Sequence, residues 1–120
     1  MQHDVILGTS PAAQDWRFAG LRRGVGPKLK GRLRVDDVET RLQAARSGRG
    51  IVQLLSYQAA DDLAAGRLVR LLREHEAPAL PVQLVTKGRA HRAPKIDAFV
   101  DFATERLLAL PVLRRESNHR

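Results

Sequence analysis

Two acidic pairs, two serines and one glycine-rich turn are the residues whose types and spacing could do chemistry in this chain. Asp36-Asp37 and Asp61-Asp62 have the composition of a general acid–base pair. A simpler use is open to both. Each falls at or near an expected helix start, where a carboxylate stabilises exposed N–H groups and the positive end of the helix dipole. Ser10 and Ser56 each come just after a short apolar run, Val5-Ile6-Leu7 and Ile51 to Leu55. Neither lies in a GxSxG nucleophile elbow, and neither has a base placed beside it by sequence. A small hydrolase is therefore a remote reading. A hydroxyl just past the end of a strand is, however, where open α/β sheets bind small ligands.

The turn Gly48-Arg49-Gly50 is not a Walker loop. No GK[ST] follows it, and its glycines precede an apolar run instead of opening a helix. The helix expected ahead of it presents its negative end, which repels phosphate. A DNA-reading helix-turn-helix would make Ile51 to Ala59 the recognition helix, with Gln53, Ser56 and Gln58 as base readers. Between Gly50 and Ala65 no Lys or Arg is present to hold the phosphates. His3, His75, His91 and His119 show no metal-ligand spacing, and the chain has no cysteine. No catalytic residue, metal or cofactor is expected, and the chain does not read as an enzyme.

Charge gives one more candidate. Lys and Arg number 21 against 13 Asp and Glu, a formal charge of +8. Such an excess suits a polyanionic partner, or an arginine-rich proteome in which arginine fills solvated faces. Lys28, Lys30, Arg32 and Arg34 alternate with Leu29, Gly31, Leu33 and Val35. A period of two puts the four cations on one face of a strand, where they could track a nucleic-acid backbone. Aromatic interleaving is absent, with Trp16 and Phe18 as the nearest rings, and a solvated sheet face explains the stripe as well.

These residues need elements to hold them. At 120 residues the chain can bury one modest core, and 43% hydrophobic residues is ordinary for a globular protein. Val5 to Leu7 reads as a buried strand, Trp16 to Phe18 as a short second one, and Lys28 to Val35 as a third. Asp36 is expected to cap a helix from Asp37 to about Ser47, with Glu39 placed for a capping box and Gly48 for the stop. Ile51 to Leu55 is read as a strand, Gln58 to Ala65 as a helix closed by Gly66, and Leu68 to Leu72 and Val82 to Thr86 as further strands. Pro94 opens a final helix with Ile96, Phe99, Val100, Ala103 and Leu107 on one face and Lys95, Asp97, Asp101 and Glu105 on the other. Arg114 to Arg120 is a polar tail. Strands alternating with helices predict an α/β domain with a partly parallel sheet. The N-terminus lacks a signal peptide's basic and apolar regions, and no segment nears the length of a membrane span. A cytoplasmic protein without membrane contact is expected.

Taken in order, HDVILG…DWRF, GRLRVDD, LQAARSGRGIVQLL, DDLAAGRLVRLL and LPVQLVTKGRAHRAPKIDAFVDFATERL resemble the C-terminal part of LysR-type transcriptional regulators, from about His3 to Leu107. No single piece is specific; the ordered set is. The resemblance implies an α/β fold like that of type II periplasmic binding proteins, with two subdomains and a small-molecule effector between them. Residues 1–80 would be the second subdomain, 81–110 the return strand and helix of the first, and 111–120 a polar tail. It further implies a fragment without the family's N-terminal winged helix-turn-helix, through which alone the intact protein would meet DNA, and without the front half of the first subdomain. The positions matching the family's effector groups are Thr9, Ser10, Asp36, Asp37 and Ser56. Arg49 and Ser56 depart from the family's pattern, which has an apolar residue between the glycines and a proline after the strand. The final helix, short of its sheet partner, must bury its apolar face elsewhere, so self-association into a homo-oligomer is expected. A stand-alone nucleic-acid-binding domain built on the Lys28–Arg34 stripe is the alternative.

Overall fold

The computed structural model describes residues 3–22, 24–88 and 93–114. The chain divides into two compact units, Met1–Pro78 and Ala79–Arg120.

The first unit is built on a three-stranded parallel sheet of order β2-β1-β3, with β1 at Val5–Leu7, β2 at Gly31–Arg34 and β3 at Ile51–Val52. A continuous apolar run suits the central strand of a parallel sheet, where both faces are covered. Ile6 and Leu7 are each 1% exposed. The helices are α1 (Pro11–Gln14), α2 (Val38–Arg46) and α3 (Ser56–Ala64). The second of them packs on β1 and β3. Its Leu42 is buried, and Val38 and Ala45 are half-buried on the same side, as the spacing predicts. Ile6, Leu7 and Leu42 are the buried hydrophobic side chains among the described residues.

Asp37, not Asp36, caps α2. Its carboxylate accepts from the Thr40 backbone N–H and from the Thr40 hydroxyl, both at 2.8 Å. The expected capping box does not form, because Glu39 turns to Arg46 instead, at 2.9 Å. Threonine at the third helical position supplies a second donor to Asp37, which explains the shift of the cap by one residue. The stops are as the glycines foretell. Gly48 has φ +72, and the N–H groups of Gly48 and Arg49 donate to the carbonyls of Ala45 and Ala44. Gly66 and Arg67 close α3 in the same way, on Leu63 and Asp62. Both are Schellman turns.

Four further expectations for the first unit need correction. Trp16 to Phe18 is not a strand; Phe18 alone forms a bridge, antiparallel to Glu76. The helix α3 begins at Ser56, two residues early, because the Gln58 side chain accepts from the Leu55 N–H and stabilises that start. Leu68 to Leu72 is irregular and ends in Leu72 at φ +53, a left-handed conformation that stops a ladder; a 3₁₀ turn follows at Arg73–His75. Asp61-Asp62 lies in the last turns of α3 rather than near its start.

The second unit holds the helix α4 (Pro94–Ala109) and a 3₁₀ turn at Pro111–Leu113. Val82 to Thr86 is exposed and pairs with no strand among the described residues. Of the expected apolar face of α4, Val100, Ala103 and Leu107 are half-buried, whereas Ile96 is 39% and Phe99 62% exposed. Asp97, expected to face away, is half-buried. Arg106 lies over the ring of Phe102, 4.9 Å from its centroid. Residues 115–120 of the expected polar tail, with His119, and His91 lie outside the described residues.

Candidate functional site

A parallel sheet delivers all its strand ends to one edge. Here β1 ends at Gly8-Thr9-Ser10, β2 at Val35-Asp36-Asp37 and β3 at Gln53 to Ser56. The five residues singled out from the sequence, Thr9, Ser10, Asp36, Asp37 and Ser56, therefore come to the same end of the first unit. All five are exposed.

They differ in how far they are committed. Ser10 caps α1, its Oγ accepting from the Ala13 N–H at 3.2 Å. Asp37 is held by Thr40, whose backbone N–H and hydroxyl lower its carboxyl below the ordinary carboxylate range; the charge of Arg41 adds to this. The hydroxyls of Thr9 and Ser56 and the carboxylate of Asp36 make no hydrogen bond among the described residues, and remain available to a ligand. The Thr9 carbonyl accepts from the Gln14 side chain at 2.8 Å, which fixes the loop that carries that hydroxyl.

Two residues at this edge had no place in the sequence reading of the site. Gln53 clasps the backbone of Arg17 in both directions: the Arg17 N–H donates to Gln53 Oε1 at 3.2 Å, and Gln53 Nε2 donates to the Arg17 carbonyl at 2.9 Å. Its amide is occupied and cannot read a base. With Ile51–Val52 paired in the sheet, the recognition-helix reading fails. The other residue is Arg41, one turn after Asp37 on α2. The i, i+4 spacing of acid and base is the signal that could have found it.

The basic stripe is confirmed as exposed. Only Arg32 and Arg34 fall within β2, an edge strand of the sheet, and Arg32 meets Asp4 at 3.3 Å. Among the described residues no group of three His, Asp or Glu could hold a metal ion. No helix among them is long and apolar enough to cross a membrane.

Away from the edge, one buried cluster ties two helices together. Asp62 on α3 is 2% exposed. It accepts from Arg46 of α2 at 2.8 and 2.7 Å, a two-pronged pairing, and from Arg67 at 2.6 Å. Hydrogen bonds from the two guanidinium groups hold its carboxyl down at about 2, against burial acting the other way.

Comparison with known proteins supplies the context for this edge. The sequence profile of the LysR substrate binding domain matches residues 1–108. The probable HTH-type transcriptional regulator LtrA of Klebsiella pneumoniae is 28% identical over 109 residues, 88% of this chain and 35% of the relative. The chain thus spans about a third of that relative's length. No solved structure matches.

Proposed function

The chain belongs to the LysR substrate binding domain family, and on that premise we propose that it is the effector-binding part of a transcriptional regulator. The observation that carries the reading is the edge itself: three parallel strands bring free hydroxyl and carboxylate groups of Thr9, Asp36 and Ser56 to one end of the sheet. Small polar ligands bind outside the carboxyl ends of such strands. The edge is one wall of the site, and the rest of the intact regulator supplies the other. DNA is contacted through a helix-turn-helix outside this chain. The effector acts by stabilising one arrangement of a DNA-bound homo-oligomer over another, a population shift. The protein works in the cytoplasm, without membrane contact and without a cofactor, and is not an enzyme. A stand-alone nucleic-acid-binding domain built on the Lys28–Arg34 stripe is not favoured, since only Arg32 and Arg34 fall within β2 and Arg32 is paired with Asp4.

The test is a thermal-shift screen of the intact regulator against small metabolites, followed by promoter footprinting with each hit. A true effector raises Tm and alters the footprint. Thr9→Val and Ser56→Ala then reduce its affinity by about tenfold each, the loss of one buried hydrogen bond, with DNA binding retained. Hits indifferent to both substitutions would place the effector elsewhere.

Self-association of the 120-residue chain is expected on separate grounds. No described residue of Ala79–Arg120 is buried, and Phe99, Phe102 and Leu108 are 62%, 55% and 71% exposed. An apolar face of this kind is covered in solution. Light scattering should give a mass above the 13.3 kDa of one chain, falling towards it on dilution. The double substitution Phe99→Ser and Leu108→Ser should return the monomer. A mass of one chain at every concentration refutes this.

A further inference from the structure

Arginine is easily satisfied at a surface and costly to enclose without a partner. Among the described arginines, Arg41 and Arg46 are half-buried and the others are exposed. Both stand on α2. Arg46 meets Asp62 through two of its nitrogens and Glu39 through the third. Arg41 has no such company. It makes no hydrogen bond or ion pair with a described residue, and its Nε is buried without a partner. Its Nη1 reaches the ligand edge, 3.7 Å from the point where a β-carbon on Gly8 would stand. Gly8 is the residue between the end of β1 and Thr9. Asp37, the N-cap of its own helix, feels the charge of Arg41 but is turned to Thr40.

We propose that Arg41 is the anion-recognising residue of the effector site, and that the effector carries a carboxylate. The inference rests on the effector-binding reading above. An enclosed donor left unpaired in a folded protein marks a place where a missing partner belongs. Pairing the guanidinium with a carboxylate offsets its desolvation, and its planar fork adds direction as well as charge. The exposed hydroxyl of Thr9, next to Gly8, is placed to hydrogen-bond the same group. Effector and cation are then selected for one another: a neutral analogue of equal size leaves Arg41 uncompensated.

The ¹⁵N-labelled chain tests this without knowledge of the effector. Sodium acetate is titrated against sodium chloride at equal ionic strength, and the arginine Nε–Hε resonances are followed, with Arg41 assigned by its loss in Arg41→Lys. The Arg41 resonance should move saturably and at least about threefold further than that of exposed Arg49, as a directed charge-assisted pairing requires. The amides of Thr9 and Ser10 should move with it, and should cease to do so in Arg41→Gln. Equal movement of Arg41 and Arg49, or persistence of the Thr9 and Ser10 shifts in Arg41→Gln, overturns the proposal. So does a response to inorganic phosphate with none to acetate. If Arg41→Gln disturbs the amides of Ile6 and Leu7, Arg41→Lys replaces it: undiminished Thr9 and Ser10 shifts there refute the role of the fork. Failure here leaves the effector reading standing with a neutral ligand, whereas an acetate response with no hit in the metabolite screen does the reverse.

Discussion

Alanine at position 50 should cost the first unit most or all of its stability. Gly50 has φ +150, and a β-carbon on it would stand 2.5 Å from the Asp4 carbonyl oxygen and 2.9 Å from the carbonyl carbon. Both atoms are backbone, so no side chain can rotate out of the way. That same oxygen accepts the Ile51 N–H at 2.9 Å, the bond that starts the pairing of β1 with β3. The new methyl must either break this bond or push the two strands apart. Backbone strain and overpacking together cost about 2–6 kcal/mol. A small domain has roughly 5–15 kcal/mol in all, and the described core is Ile6, Leu7 and Leu42. Urea denaturation followed by circular dichroism should show Gly50→Ala with a midpoint close to zero denaturant. Gly48→Ala is the control. Gly48 has φ +72, but nothing lies within 4 Å of the position its β-carbon would take. It loses only the turn's conformational preference, about 1 kcal/mol. Equal effects from the two would show that steric contact with Asp4 is not the cause.

Removing the Asp62 carboxylate should be the most damaging change away from the sheet. Asp62→Ala leaves Arg46, whose side chain is 24% exposed, with Glu39 as its remaining partner. Uncompensated enclosed charge is among the few mechanisms of severe destabilisation. The expected loss is on the order of 10 °C in Tm. The combined change of Asp62→Leu with Arg46→Met should recover most of that loss, because an apolar pair of similar size has no charge to strand. A double variant as unstable as Asp62→Ala would mean that packing, not charge, is decisive. The pH dependence has a definite sign. The folded-state pKa of about 2 lies below the ordinary 3.8. The contribution is therefore complete well above 3.8 and is lost as the pH falls through that value towards 2. Acid titration of Tm should show this loss in the wild type and a flatter profile in the double variant.

Where side-chain periodicity and backbone chemistry agreed, the fold could be read from the amino acids. Val5-Ile6-Leu7 had the continuous apolar character of a central parallel strand, and Gly48 and Gly66 marked helix stops that only the left-handed conformation explains. The basic alternation around β2 exposed its cations as its period required. Failures came where a residue's partner lay far off in sequence. Leu68 to Leu72 is as apolar as a strand, yet a strand exists only by pairing, and among the described residues it joins no sheet. Asp61-Asp62 resembled a helix-start pair because nothing local reveals that Arg46, 16 residues earlier, and Arg67 would enclose it. The grouping of Thr9, Ser10, Asp36, Asp37 and Ser56 at one sheet end was legible as a set of strand ends. Its hydroxyls sit where the topology must put them, whereas the isolation of Arg41 depends on packing that no spacing rule encodes.

The two ends of the sheet differ in their freedom to change. At one end Gly50 presses against Asp4 so closely that a single methyl is excluded. At the other, Thr9 and Asp36 on loops and Ser56 at the start of α3 have side chains with no hydrogen bond to lose among the described residues. Mutations there are cheap for folding and, on the effector-binding reading proposed above, direct in their effect on what is bound. Under that proposal, such a division lets a lineage exchange one small-molecule signal for another while the scaffold stays fixed. It also marks Thr9, Asp36 and Ser56 as the positions to randomise in building a biosensor of new specificity.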